Sequence, residues 1–295
     1  MKNNKILITG AGGFIGSHVV EKALKLNYKV TAFVKYNSSN DWGWINSINH
    51  KNLNIVAGDV TDVEFVNEIV KGQDYVFHLA ALIGIPYSYK AVNTYFQTNL
   101  NGTINMLNAC KRFGIKRLLV TSTSEVYGTA LYTPIDEKHP LQAQSPYSAS
   151  KIAADQISIA FIKSFETPVT IVRPFNAYGP RQSERAIIPT IITQIITKKK
   201  FIEIGNPDPT RDYNYVEDIA DAFFKIANSK KTKNEIINVC TGKEIQIKKL
   251  AEKILQIANV KKKIITKTNR LRPKNSEVER LLGDNSKILK LTDWK

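Results

Sequence analysis

Cysteine is scarce in this chain of 295 residues, which has only Cys110 and Cys240. Two thiols cannot build a disulfide framework, fit a reducing compartment and read as small buried hydrophobes. No metal site is expected. Long apolar runs are missing too. The longest, Ile187 to Ile196, is about half the roughly 20 residues of a membrane helix, and it contains Pro189, Thr190, Thr193 and Gln194. At the N-terminus a few polar residues lead into Ile6-Leu-Ile8, without the apolar core of a signal peptide, so a cytoplasmic location and no membrane partner are expected. Acidic residues are the minority, 26 against 42 lysines and arginines, for a net charge of +16. Most of the excess is lysine, with nine arginines, and much of it lies in the last third (Lys198 to Lys200, Lys230, Lys231, Lys233, Lys261 to Lys263). Lysine, asparagine and isoleucine are common throughout, so the charge reads as solvated compositional bias and no nucleic-acid partner is expected. A positive field still favours an anionic substrate. There is no internal repeat or low-complexity linker, and 43% hydrophobic with 23% charged residues is ordinary for a globular enzyme.

What is present is a βαβ rhythm. Short apolar runs at Lys5 to Thr9, Lys29 to Val34, Leu53 to Val56, Tyr75 to Leu79, Arg117 to Thr121 and Val169 to Val172 alternate with amphipathic stretches at Gly13 to Leu26, Val63 to Val70, Ala91 to Phe113 and Tyr147 to Phe165. That pattern predicts an α/β fold, a Rossmann-type doubly wound parallel sheet with ligands beyond the strands' carboxyl ends. Residues 1–174 read as the dinucleotide-binding domain, with later segments returning to it. After Pro174 a run of prolines breaks up shorter elements, so residues 175–295 read mainly as a smaller C-terminal α/β substrate lobe. Asn285 to Lys295 read as the start of a terminal helix.

Thr9-Gly-Ala-Gly-Gly-Phe-Ile-Gly16 joins the first strand to the first helix. Gly10 permits a tight turn, Gly13 lets the backbone approach a pyrophosphate at a helix N-terminus, and Gly16 allows close helix-to-strand packing. A carboxylate ending the second strand would bind an NAD ribose; here the strand runs Val34-Lys35-Tyr36-Asn37-Ser38, with no acid before Asp41. NADP is therefore favoured, with Lys35 and Ser38 at its 2′-phosphate, and NAD remains open. Asp59, after the third strand, either reaches the adenine edge or caps the next helix together with Thr61 or Asp62.

Tyr147-Ser-Ala-Ser-Lys151 puts a phenol and an ammonium on one face of a helix. A tyrosine ionises near pH 10 and needs neighbouring positive charge to act as a base at neutral pH. Lys151 and an oxidised nicotinamide supply it.

Together with Ser122-Thr-Ser-Glu-Val-Tyr-Gly128, the Asn99 segment and Arg173-Pro-Phe-Asn-Ala-Tyr-Gly-Pro180, these motifs resemble the extended short-chain dehydrogenase/reductases that modify nucleotide sugars, over essentially the whole chain. The resemblance implies that Thr123 hydrogen-bonds the sugar O4, Tyr147 takes its proton and Lys151 holds the nicotinamide ribose. It places Gly10, Gly13, Phe14, Ile15, Gly16, Lys35, Ser38, Asp59, Val60, Leu79, Ala80, Ala81, Asn99, Tyr147 and Lys151 at the cofactor. Tyr87, Thr123, Asn176, Arg185 and Arg211 are placed at the nucleotide-diphosphate sugar, arginine suiting phosphate because of its planar fork. It also implies a homodimer or homotetramer.

Glu125 bears on the reaction. A 4-epimerase needs no carboxylate beside the threonine, whereas a 4,6-dehydratase must remove the C5 proton that the 4-keto group acidifies. Ser124 stands where dTDP-glucose dehydratases usually carry an aspartate acid. This resembles the GDP-mannose dehydratase pattern, in which Glu125 serves as both base and acid. The same string occurs in UDP-glucuronate decarboxylases, so the motif does not separate loss of water from loss of carbon dioxide. Tyr36-Asn-Ser-Ser-Asn-Asp-Trp-Gly-Trp44, Ala80-Ala-Leu-Ile-Gly-Ile-Pro-Tyr-Ser-Tyr89 and Ile188-Pro-Thr-Ile-Ile-Thr-Gln194 are similar to dehydratases that begin legionaminic-acid-type synthesis from GDP-N-acetylglucosamine. The expected function is thus a nucleotide-sugar 4,6-dehydratase (lyase), with decarboxylase and 4-epimerase as alternatives. A redox-sensing binding protein on the same fold would lack the Tyr147 and Lys151 pair.

Overall fold

The computed structural model describes residues 4–295. Its elements run β1 (Lys5–Thr9), α1 (Phe14–Lys25), β2 (Lys29–Lys35), β3 (Leu53–Gly58), α2 (Val63–Val70), β4 (Tyr75–His78), α3 (Ile85–Ser88), α4 (Val92–Phe96), α5 (Gly102–Phe113), β5 (Arg117–Thr121) and α6 (Pro146–Phe165). They continue with β6 (Val169–Pro174), β7 (Asn176–Tyr178), α7 (Ile187–Ile196), β8 (Ile202–Ile204), β9 (Thr210–Tyr215), α8 (Val216–Asn228), β10 (Ile236–Val239), β11 (Glu244–Gln246), α9 (Ile247–Ile257), β12 (Ile264–Thr266) and α10 (Ser286–Leu291).

Seven strands pair in the order β10-β6-β5-β4-β1-β2-β3, every neighbour parallel. Such a sheet is covered on both faces, which explains why its strands read as continuous apolar runs. Ile6, Leu7 and Ile8 of β1 are fully buried, Ile6 and Ile8 in the core beneath α1 and α8, Leu7 in the core beneath α2 and α5. The chain winds outward from β1 in both directions, so a crevice opens beyond the carboxyl ends of β1 and β4, where such folds place their ligands. This is the Rossmann-like α/β fold predicted from the rhythm of the sequence.

β10 comes from residues 236–239 yet pairs with β6 at the sheet edge. The other late strands form two small sheets, β11-β9-β7 and β12-β8, with α7 and α9 packed over Ile191, Ile202, Ile204, Ala251 and Leu255.

Local chemistry accounts for the helix ends. Ser145 accepts from the Ser148 amide while Ser148 reciprocates, a capping box with Pro146 in the first turn of α6. α5 closes on Gly114 at φ 63°. Two expected helices differ. The stretch Ala91 to Phe113 is broken into α4, a wider π-type turn at Gln97–Asn101, and α5. In the wide turn lies fully buried Asn99, whose amide bonds the Leu82 backbone at 2.8 and 3.0 Å and Ser150 Oγ at 2.9 Å. The terminal helix stops at Leu291, because the tail turns extended at Thr292 and buries Trp294, whose Nε1 donates to the Asp218 carbonyl at 2.9 Å.

Candidate active site

The glycine turn is built by close backbone approach. A Cβ on Gly16 would sit 2.1 Å from the Gly10 carbonyl oxygen, and one on Gly10, at φ +67°, would meet the Leu79 and Ala80 backbone at 2.9 Å. On Gly13 a Cβ meets only the Gly10 oxygen, at 3.2 Å, so the turn leaves its outer side open to a ligand. Phe14 and Ile15 begin α1, whose N-terminus carries no side-chain cap. The Gly13 amide donates to the Gly10 carbonyl, so three orphan amides, those of Phe14, Ile15 and Gly16, and the positive dipole end face the crevice.

Thr9 Oγ1 completes the crevice floor. It accepts from the Leu79 and Ala80 amides at 3.1 and 3.0 Å and contacts His78 Nδ1 at 2.8 Å. Burial and the Lys151 charge push His78 down to about 3, so its ring is neutral. Ala81 follows on the same segment.

At the other end of the crevice, Lys35 Nζ lies 3.8 Å from Asp59 Oδ2. Asp59 Oδ1 accepts from the Thr61 amide and hydroxyl, while Asp62 caps α2. Val60 is buried against Gly102, and Ser38 is exposed. Asn99 is fully buried, with its amide bonded to the Leu82 backbone on the segment that follows β4 and to Ser150 on α6.

The predicted chemistry converges at the end of β5. Thr123 caps the 3-10 turn Ser124–Tyr127 by accepting from the Glu125 amide at 3.2 Å. Ser124 and Glu125 are both buried within that turn. Tyr147 is 7% exposed on α6, and its phenol is raised well above the usual tyrosine range, chiefly by burial, with Glu125 adding and the Thr123 side chain opposing. Lys151, 4% exposed, donates from Nζ to the Thr121 carbonyl at 2.5 Å. Burial lowers it to about 8, against the pull of Asp155.

The sugar side is assembled from several elements. Arg211 on β9 is buried, with Nη2 3.4 Å from Glu277 Oε1. Burial lowers it, opposed by Glu125. Arg272 was not singled out by the sequence, yet its Nη1 lies 3.8 Å from Glu125 Oε2 and 4.0 Å from Glu277 Oε1, buried and without a hydrogen-bond partner. Asn176 Oδ1 on β7 is likewise buried and unbonded. Unsatisfied polar atoms of this kind are uncommon in native interiors, and each calls for an explanation. Tyr87 is 53% exposed on α3; its ring is 6.1 Å from Tyr95, whose ring meets Tyr147 edge-on at 6.2 Å. Arg185 is exposed on the loop before α7 and acts on Tyr95 through its charge. Glu277 and Asp155 were also missed. A lone arginine or acid carries no local pattern, and only their spatial neighbours give them meaning. Among the described residues no cluster of His, Cys, Asp and Glu could hold a metal ion, and no helix is long and apolar enough to cross a membrane.

Known proteins match this arrangement. The family model described as GDP-mannose 4,6 dehydratase covers residues 7–295. The dTDP-D-glucose 4,6-dehydratase of Dictyostelium discoideum is 34% identical over 273 residues, 86% of this chain; the chain spans 62% of that relative's length. Among solved structures, the UDP-N-acetylglucosamine 4-epimerase of Methanobrevibacter ruminantium, in complex with UDP-N-acetylmuramic acid, superposes with a TM-score of 0.89 at 33% identity over 99% of this chain and 92% of that one. The dTDP-glucose 4,6-dehydratase of Streptomyces venezuelae, with NAD and TYD bound, gives 0.89 at 25% identity over 99% and 91%. With its sheet order, its glycine turn and this full-length match, the chain belongs to the GDP-mannose 4,6-dehydratase family of nucleotide-sugar dehydratase and epimerase enzymes.

Proposed function

We propose that the protein is a nucleotide-sugar 4,6-dehydratase acting on GDP-N-acetylglucosamine. The observation that carries this is Glu125: a buried carboxylate in the same turn as Thr123, acting electrostatically on the Tyr147 phenol and facing two arginines. An epimerase has no task for it.

The crevice fits a nicotinamide dinucleotide, because the glycine turn is open where a pyrophosphate approaches and the first helix offers uncapped amides. NAD is bound by the Streptomyces venezuelae relative. Lys35 at the end of β2 and Ser38 beyond it, with no acid in the sequence between Val34 and Asp41, support NADP for this chain, although Asp59 of the neighbouring strand's loop stands 3.8 Å from Lys35. A bound nicotinamide supplies the place where a hydride from C4 is stored and from which it is returned. Its positive charge, with that of Lys151, favours the phenolate of Tyr147.

Tyr147 takes the proton of O4, which Thr123 orients, as C4 gives up its hydride and becomes a ketone. Glu125 then removes the acidified C5 proton and passes a proton to the C6 hydroxyl, which leaves as water. Return of the hydride to C6 and of a proton from water to C5 through Glu125 would leave a 4-keto-6-deoxy sugar, with Tyr147 releasing to water the proton it took from O4. Arg211, Arg272 and Asn176 hold the diphosphate sugar, Arg272 with the charge that is otherwise shared between Glu125 and Glu277. Tyr87 and Arg185 line the approach from the α3 and α7 sides.

Mass spectrometry after incubation with a panel of nucleotide sugars tests the reading: the product is lighter by one water and no reduced cofactor accumulates. Stoichiometric NADPH formation would reject it. The likeness to the Methanobrevibacter ruminantium enzyme favours 4-epimerisation as the second reading, in which the product mass equals that of the substrate; release of carbon dioxide from UDP-glucuronate would mark a decarboxylase.

A further inference from the structure

The site described so far does not use Asp155, which is fully buried one helical turn beyond Lys151 on α6. Its Oδ2 accepts from Ser122 Oγ at 2.9 Å and from Arg173 Nε at 3.0 Å. Lys151, on the same helix, donates to the carbonyl of Thr121. Two consecutive residues at the end of β5 are thus bonded to successive turns of one helix. Arg173 carries the connection onward: its Nη1 donates to the Tyr127 hydroxyl at 2.9 Å, which donates to Asn238 Oδ1 at 2.7 Å. Ser122 and Tyr127 flank the segment bearing Thr123 and Glu125. Asp155 and Arg173 therefore grip that segment at both ends and lock it to the helix bearing Tyr147 and Lys151.

A second feature separates this pair from a stability device. Asp155 Oδ1 is buried without a hydrogen-bond partner. A carboxylate retained for stability satisfies both oxygens, and a buried ion pair is often no better than apolar packing. Here Arg173 pairs with Oδ2 alone, and Oδ1, one helical turn from Lys151 on α6, is committed to no protein donor.

We propose that Asp155 is a positioning residue for the Tyr147 and Lys151 pair: through Ser122 and Arg173 it fixes the segment carrying Thr123 and Glu125, and its charge keeps the buried Lys151 an ammonium. The proposal rests on the reading that Lys151 serves the reaction as a cation. The groups around that ammonium are Asp155 and, one turn earlier on the same helix, Tyr147, with neutral His78 of β4 facing it; Arg173 of β6 faces Asp155, and Glu125 faces Tyr147. Of these only Asp155 supports the charge of Lys151, against the lowering effect of burial.

The test is an NMR titration of the full chain without substrate, using lysine labelled with 13C at Cε, with the Lys151 resonance assigned by its loss in Lys151→Arg. In Asp155→Asn, which keeps the shape and removes the charge, the Lys151 midpoint falls from near 8 by about one to three units. Ser122→Ala removes the hydroxyl that favours the ionised Asp155, and the midpoint falls by less. A structural role alone predicts the opposite sign, because loosening admits water and moves a lysine back up towards its ordinary value. An unchanged or rising midpoint in Asp155→Asn overturns the proposal. If Asp155→Asn does not fold, Ser122→Ala decides by the same sign. No substrate is present, so this result stands apart from product analysis, which tests the dehydratase reading.

Discussion

Nη1 of Arg272 lies 3.8 Å from Oε2 of Glu125, although one sits on the strap before β-bridge residue Arg280 and the other in the turn after β5. The guanidinium has no hydrogen bond of its own at that atom. Arg272→Gln should therefore weaken the binding of GDP or UDP by roughly tenfold or more, the worth of a hydrogen bond to a charged group. Calorimetric titration checks it; an unchanged Kd removes Arg272 from the diphosphate site.

Tyr147→Phe deletes the proton acceptor and leaves the ring contact with Tyr95. Turnover should drop by roughly 10²- to 10⁴-fold, the range for general acid–base catalysis, while cofactor affinity stays within about twofold. Because Lys151 is lowered to about 8, it is charged below that pH and neutral above it. The wild-type rate should then decline as pH rises through about 8, when the charge that favours the phenolate is lost. A kcat that keeps climbing to pH 10 would contradict the role of Lys151.

Glu125→Gln is close to isosteric, so the first half of the reaction survives and elimination stops. Rapid mixing with the substrate should show reduced nicotinamide absorbance building up on the enzyme, with no 6-deoxy product. Full turnover to the 6-deoxy product by this variant would exclude Glu125 as the base.

Lys35 is 75% exposed and shares its charge with Asp59. Asp59→Asn should raise NADP affinity by several-fold, and Lys35→Ala should lower it by about tenfold with NAD little changed. The effects should shrink at high salt, as exposed charge interactions do. Fluorescence titration with both dinucleotides at two ionic strengths checks this, and equal losses for NAD and NADP would argue against a 2′-phosphate contact.

Gly16→Ala places a methyl group 2.1 Å from the Gly10 carbonyl. Backbone has to move, at a cost of about 1–3 kcal/mol, and the turn that faces the cofactor opens. Thermal unfolding should show the loss in the free protein and a smaller rise in Tm on adding cofactor. Wild-type behaviour in both would mean that the turn tolerates a side chain.

Much of the sheet is legible from local composition. Ile6, Leu7 and Ile8 read as a buried strand because a parallel sheet hides both faces, and α2 and β5 lie where periodicity predicts them. The Ala91 to Phe113 stretch shows where local reading fails: helix propensity gives no hint that Asn99 will turn inward to bond Leu82 and Ser150, since both partners come from other parts of the chain.

The same division runs through the site. The glycine turn and the Tyr147 to Lys151 spacing are properties of short segments, in which steric allowance and a single helical turn already determine geometry, so the sequence alone determines a tight strand-to-helix turn and a phenol and an ammonium on one helix face. Arg272, Glu277, Asp155 and Arg173 have no such local signature. Their roles depend on distances between segments far apart in the chain, and a charge beside Glu125 or Lys151 matters only within a few ångströms and away from water. Tertiary structure alone decided which arginine faces the carboxylate and which acid supports the lysine.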